Sequence, residues 1–169
     1  MSVSQSMEYL GKPVTAPRTE KGTRTETETR RVTVRLSGLR GATHAILRIG
    51  AGLLFFLHGA PKLLGWFGGV GPNGESAELF SLFGLAGVLE VFGGLAIALG
   101  FLTRPVAVLL AIEMLVAYFY AHAPQGPIPY ANGGELALLY GLVWVYLAAN
   151  GAGPASVDWR RGPRKTVAR

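Results

Sequence analysis

Four long apolar runs, separated by short polar or glycine- and proline-rich breaks, limit what this 169-residue chain can fold into. They fall at about residues 44–66, 79–101, 105–121 and 134–149. None has the recurring polar face that a helix on a soluble domain presents to water. The first two are long enough to cross a hydrocarbon layer of about 30 Å, and the last two lie near the short limit. Inside lipid every backbone N–H and C=O needs an internal partner, so each run is expected as a helix. The expected fold is therefore all-α, a four-helix transmembrane bundle over residues 41–150.

Composition agrees. Half the residues are hydrophobic and 15% are charged, where a soluble domain carries roughly a quarter charged. Glycine is frequent, and Gly84, Gly87, Gly93, Gly94 and Gly100 within the second run suit close helix approach. There is no cysteine, which excludes disulfides, a thiol relay, Cys-ligated metal and palmitoylation. No intrinsic cofactor is evident. His58 and His122 alone do not make a metal site. The glycine-rich stretch at 68–74 lacks the Lys-Ser/Thr of a phosphate loop.

The net charge of +6 is concentrated at the ends. Eight Lys/Arg lie in residues 1–40 and five in 151–169, leaving Arg48, Lys62 and Arg104 between them. Residues 1–40 show no sustained period and no apolar h-region of a secretory signal, so they are expected as a disordered basic tail. Residues 151–169 form a second basic tail. Both flank apolar spans, so anionic lipid headgroups are the expected partner and nucleic acid is not. The loops at 67–78 and 122–133 contain no Lys or Arg. Excess Lys/Arg marks the cytoplasmic side, which places both termini in the cytoplasm of a multi-pass inner-membrane protein. Trp66, Tyr130 and Trp159 fall near the expected boundaries, where aromatic belts sit.

Ionisable groups within the spans are the candidate functional residues, because they are costly in lipid and usually face the bundle interior. Residue rise sorts them by depth. An inner cluster comprises Arg48, Glu90 and Glu113; an outer one comprises His58, Lys62, Glu135 and His122. His58 and Lys62 are four apart and share a face, with Arg48 close to the same stripe. The simplest arrangement pairs Arg48 with Glu113 or Glu90, and Lys62 or His58 with Glu135. The alternative is structural: buried pairs that only fix helix packing, snorkelling by Lys62 and Glu135, and an ordinary loop histidine at His122.

Several motifs carry a resemblance. Leu47-Arg48-Ile49-Gly50 leads to Phe56-Leu57-His58-Gly59-Ala60-Pro61-Lys62-Leu63. Leu89-Glu90-Val91-Phe92-Gly93-Gly94 runs on to Leu99-Gly100-Phe101-Leu102-Thr103-Arg104. Asn132-Gly133-Gly134-Glu135 and Gly151-Ala152-Gly153-Pro154-Ala155-Ser156-Val157-Asp158 follow. In this order, over about residues 44–160, they resemble the DoxX family of small bacterial membrane proteins. The resemblance implies a four-helix fold and an association with redox chemistry. Members resemble a subunit of thiosulfate:quinone oxidoreductase or are linked to oxidative-stress and quinone-detoxifying systems. It supplies no catalytic residue.

Three functions compete. The first is a redox accessory subunit that interacts with quinone, for which His58, Lys62 and Glu135 supply protonatable groups and Tyr118, Tyr120 and Tyr140 further donors. The second is a non-enzymatic scaffold or assembly factor that tethers an oxidoreductase partner through the tails. The third is a small-solute or proton pathway, which needs a homo-oligomer to enclose enough volume.

Overall fold

The computed structural model describes residues 20–161. The chain divides into two units, Met1–Gly38 and Leu39–Arg169. In the first, the described backbone is helical from Glu20. Residues 20–40 are thus helix rather than irregular chain; the rest of the expected disordered tail, 1–19, lies outside the described residues.

The described residues contain helices and no strand. Helix α1 spans Glu20–Leu64, and its Gly38–Leu64 portion is long and apolar enough to cross a membrane. Helix α2 (Leu82–Leu99) and helix α3 (Thr103–Gln125) qualify likewise, while α4 (Glu135–Asn150) is shorter. A one-turn helix, α5 (Val157–Arg160), follows, capped by the Ser156 hydroxyl. The third span is longer than its apolar run suggests. After Ala117 the helix continues through a π turn at Tyr118–His122 and a 3-10 turn at Ala123–Gln125. Pro124 falls at the start of that last turn, where its missing N–H removes no helical bond. At 16 residues α4 reaches roughly 24 Å, so it alone is at the short limit.

Helices α1 and α2 approach through paired glycines. A Cβ on Gly52 would lie 2.6 Å from the Ala98 nitrogen, and one on Gly94 would lie 2.7 Å from the Gly52 oxygen. One heptad further along α1, a Cβ on Gly59 would meet Glu90 Cβ at 2.6 Å and the Gly87 oxygen at 3.0 Å. Any side chain here would force two backbones apart, which is why small residues occupy both faces. Gly52 and Gly59, like Gly87 and Gly94, are seven apart, so two turns of each helix present the same smooth stripe.

The core draws on all four helices. Phe55, Ile97, Leu110, Met114, Trp144 and Leu147 form its buried centre. Phe55 lies edge-on to Trp144 at 5.0 Å between centroids, and Tyr140 stacks on Trp144 at 5.6 Å. Leu54, Leu85, Phe92, Ile112, Phe119 and Leu142 are exposed on the outside of the protein. In water this surface would drive aggregation; in a bilayer it is the lipid-facing surface. The protein is a helical membrane protein whose outer face contacts lipid.

The glycine stripe makes a sharp prediction. Gly52→Ala should lower stability by about 1–3 kcal/mol, because its methyl meets backbone. Gly50→Ala, two residues away with nothing within 4 Å, should be neutral or slightly stabilising, since it restricts the unfolded chain. Thermal unfolding of both variants in the same detergent checks the pair.

Candidate polar site in the bundle interior

The close approach at Gly59 positions the site. With no side chain there, α1 lies directly against the π turn Leu89–Gly93 of α2. A π turn inserts one residue into a helix and shifts the following side chains around its axis; such turns are frequent at functional sites. Glu90 sits in this turn, buried with 1% of its surface exposed. Lys62, in the last turn of α1, is opposite Gly87, where a Cβ would come 2.9 Å from Lys62 Cβ. Lys62 Nζ donates to Glu90 Oε1 at 2.6 Å and to Oε2 at 2.8 Å. It is the ion pair formed among the described residues, with both partners largely shielded.

Glu113, near the middle of α3, lies within electrostatic reach of both Glu90 and Lys62. Both its carboxylate oxygens are buried, and neither has a hydrogen-bond partner among the described residues. From α4, Tyr140 lies within reach of Glu90, and the Trp144 indole N–H beside it is also buried without an acceptor. Each of the four helices therefore contributes one group: Lys62, Glu90, Glu113 and Tyr140. This interior seat contains one cation and two carboxyl groups, and its Tyr140 packs ring against ring with Phe55 and Trp144.

The expected pairings are rearranged. Lys62 meets Glu90 rather than Glu135, because the glycine contact brings the end of α1 down beside the centre of α2. Glu135 is exposed in the first turn of α4. His58 is exposed on α1, one turn before Lys62 and outside the pair. His122 belongs to the loop architecture, with Nδ1 3.1 Å from the Asn132 oxygen. Buried Asn132 secures that loop by donating to the Gly126 oxygen at 2.7 Å and accepting from the Gly134 N–H at 2.8 Å.

Arg48 pairs with neither Glu90 nor Glu113. It is fully buried at the C-terminal end of α2, where the last carbonyls of a helix lack partners. Nη1 donates to the oxygens of Ile97, at 2.8 Å, and Ala98, while Nη2 donates to the Ala155 oxygen at 2.7 Å. A cation at this end also complements the helix dipole. Gly100 turns the chain with φ +67 directly beneath the guanidinium, leaving no room for a side chain. Asp158 then accepts from the N–H of Leu102 at 3.0 Å and of Thr103 at 2.9 Å, opening α3. One residue from each of three separated motifs thus closes this end of the bundle. Sequence reasoning did not single out Phe55 or Trp144, whose apolar rings resemble any other core residue, and it met Asp158 only within a motif, without the capping role. The seven-residue spacing of Gly52 with Gly59 and Gly87 with Gly94 was the available signal for the α1–α2 contact.

Asp158 lies outside the membrane-spanning segments. Partial burial pushes its carboxyl up, but the N–H groups of Thr103 and Leu102, with nearby Arg161, outweigh this and hold it below its ordinary 3.8. The folded state thus binds the proton less readily than the unfolded chain. Its stabilisation is complete above the ordinary aspartate value and is lost as pH falls through the folded value. Acid titration of thermal stability should show this loss below about pH 4, and Asp158→Asn should flatten it.

Comparison with known proteins follows the same residues. A family model described as DoxX matches residues 43–123, which include Arg48, Lys62, Glu90 and Glu113 but stop short of Tyr140. An uncharacterized protein of Haemophilus influenzae is 42% identical over 118 residues, covering 68% of this chain and 87% of that protein. No solved structure shows significant similarity.

Proposed function

Because this chain belongs to the DoxX family of membrane proteins, we propose that it is a redox-associated accessory subunit that seats a quinone headgroup for a partner oxidoreductase. The observation that carries this reading is the interior seat, where Lys62, Glu90, Glu113 and Tyr140 converge from four helices beside a buried, unused indole N–H. Quinone reduction needs two electrons and two protons, an apolar slot and a few polar groups that orient the carbonyls. The chain has no cysteine, so in this reading electrons come from a partner or a bound cofactor rather than a thiol relay.

The residues divide the remaining work. Phe55, Tyr140 and Trp144 give flat apolar walls that exclude water. The Trp144 N–H and Tyr140 O–H are donors for carbonyl oxygens. Glu113, with both oxygens uncommitted among the described residues, is placed to give or take a proton, while Lys62 donates to both oxygens of Glu90 and fixes their orientation. This set is preferred to the grouping of His58, Lys62 and Glu135, since His58 and Glu135 are exposed. This reading puts the protein in the bacterial inner membrane with both ends cytoplasmic, which the excess of Lys/Arg at the ends favours. The basic ends also attract anionic lipid headgroups.

A thermal-shift titration of the purified protein in nanodiscs, with decylubiquinone and a short-chain menaquinone, tests this reading. It predicts a saturable rise in Tm, with affinity about tenfold weaker in Tyr140→Phe and in Trp144→Phe, about 1.4 kcal/mol for each lost hydrogen bond. No shift with either quinone, or equal shifts in all three proteins, contradicts it.

A further inference from the structure

The interior seat contains one cation and two carboxyl groups. Lys62 is committed to Glu90 through both oxygens. Glu113 lies within electrostatic reach of this pair, and among the described residues neither of its buried oxygens meets a donor. With Glu113 ionised, the seat would carry a net negative charge within the bundle, with no hydrogen bond to the Glu113 carboxylate among the described residues. A buried carboxyl group in that position is neutralised by a proton rather than left bare. Two carboxylates sharing a site with one cation cannot both be compensated.

We infer that Lys62, Glu90 and Glu113 form a binding site for one exchangeable proton, which rests on Glu113. The charged groups within electrostatic reach of Glu113 are Glu90 from α2 and Lys62 from α1; Tyr140 from α4 is within electrostatic reach of Glu90, and His58, exposed one turn before Lys62 on α1, is within electrostatic reach of Lys62. Release breaks the Glu113 O–H bond, passes the proton to an acceptor base and leaves the electron pair on the carboxylate. Lys62 can then divide its contacts between two anions. The inference uses the residues of the proposed seat and deepens that reading by naming its proton carrier, but it needs no quinone.

Charge balance makes the test quantitative. Infrared spectra of the full chain in nanodiscs, without quinone and at neutral pH, should show one carboxylic-acid C=O band that shifts in D2O. Glu113→Gln should abolish it. Glu90→Gln should abolish it too, because Glu113 then ionises to compensate Lys62. Lys62→Met, which leaves two carboxyl groups and no cation, should increase the band about twofold. All three variants are close in volume to the parent residues, and a folding check by thermal unfolding accompanies each. A band absent from the parent protein, or one that persists in Glu113→Gln, overturns the inference. Failure of quinone binding with this infrared series intact would reject the quinone reading alone.

Discussion

An ammonium group in hydrocarbon has to find an anion, and the rest of the interior is arranged around how Lys62 does so. Its partner, Glu90, is carried by a different helix, so the pair forms only if α1 and α2 come into backbone contact. Glycines at 52, 59, 87 and 94 make that contact, and the π turn at Leu89–Gly93 presents Glu90 to it. Dispersion between two smooth helix faces draws them together, and the charge pair fixes their register. The same constraint leaves the buried oxygens of Glu113 without a hydrogen-bonding cation among the described residues.

The two polar ends of the bundle do different work. Arg48 bonds carbonyls, not carboxylates, and so closes the end of α2 and holds the chain after α4 against it. Asp158 completes this by capping the start of α3. These bonds sit where helix ends expose unpaired backbone groups. The side chains of Lys62 and Glu90 instead bond each other, and Glu113 bonds no backbone group among the described residues. Backbone satisfaction explains the first set but not the second, and the functional proposals therefore rest on the second.

Much of this was legible in the sequence. Apolar runs and their breaks gave the helical membrane fold, since lipid admits few alternatives. Lys62, Glu90 and Glu113 stood out because charge in a span is conspicuous. Pairing was not legible, because depth estimated from residue rise assumes straight helices with regular side-chain directions. The π turn re-aims Glu90, and Lys62 extends back along α1 instead of toward the membrane surface. Glu135 was grouped with Lys62 on depth alone, yet it is exposed on α4. Arg48 looked like an ion-pair partner because sequence patterns reveal side-chain charges but not the bare carbonyls at a helix end.

The central claim is that the Lys62–Glu90 contact couples α1 to α2 energetically. A double-mutant cycle with Lys62→Met and Glu90→Leu measures this most directly, made in a Glu113→Gln background so that no second carboxyl can substitute. The account predicts that each single change is strongly destabilising and that the double change recovers much of the loss, with a coupling of at least about 2 kcal/mol. Effects that add to within about 0.5 kcal/mol would contradict it.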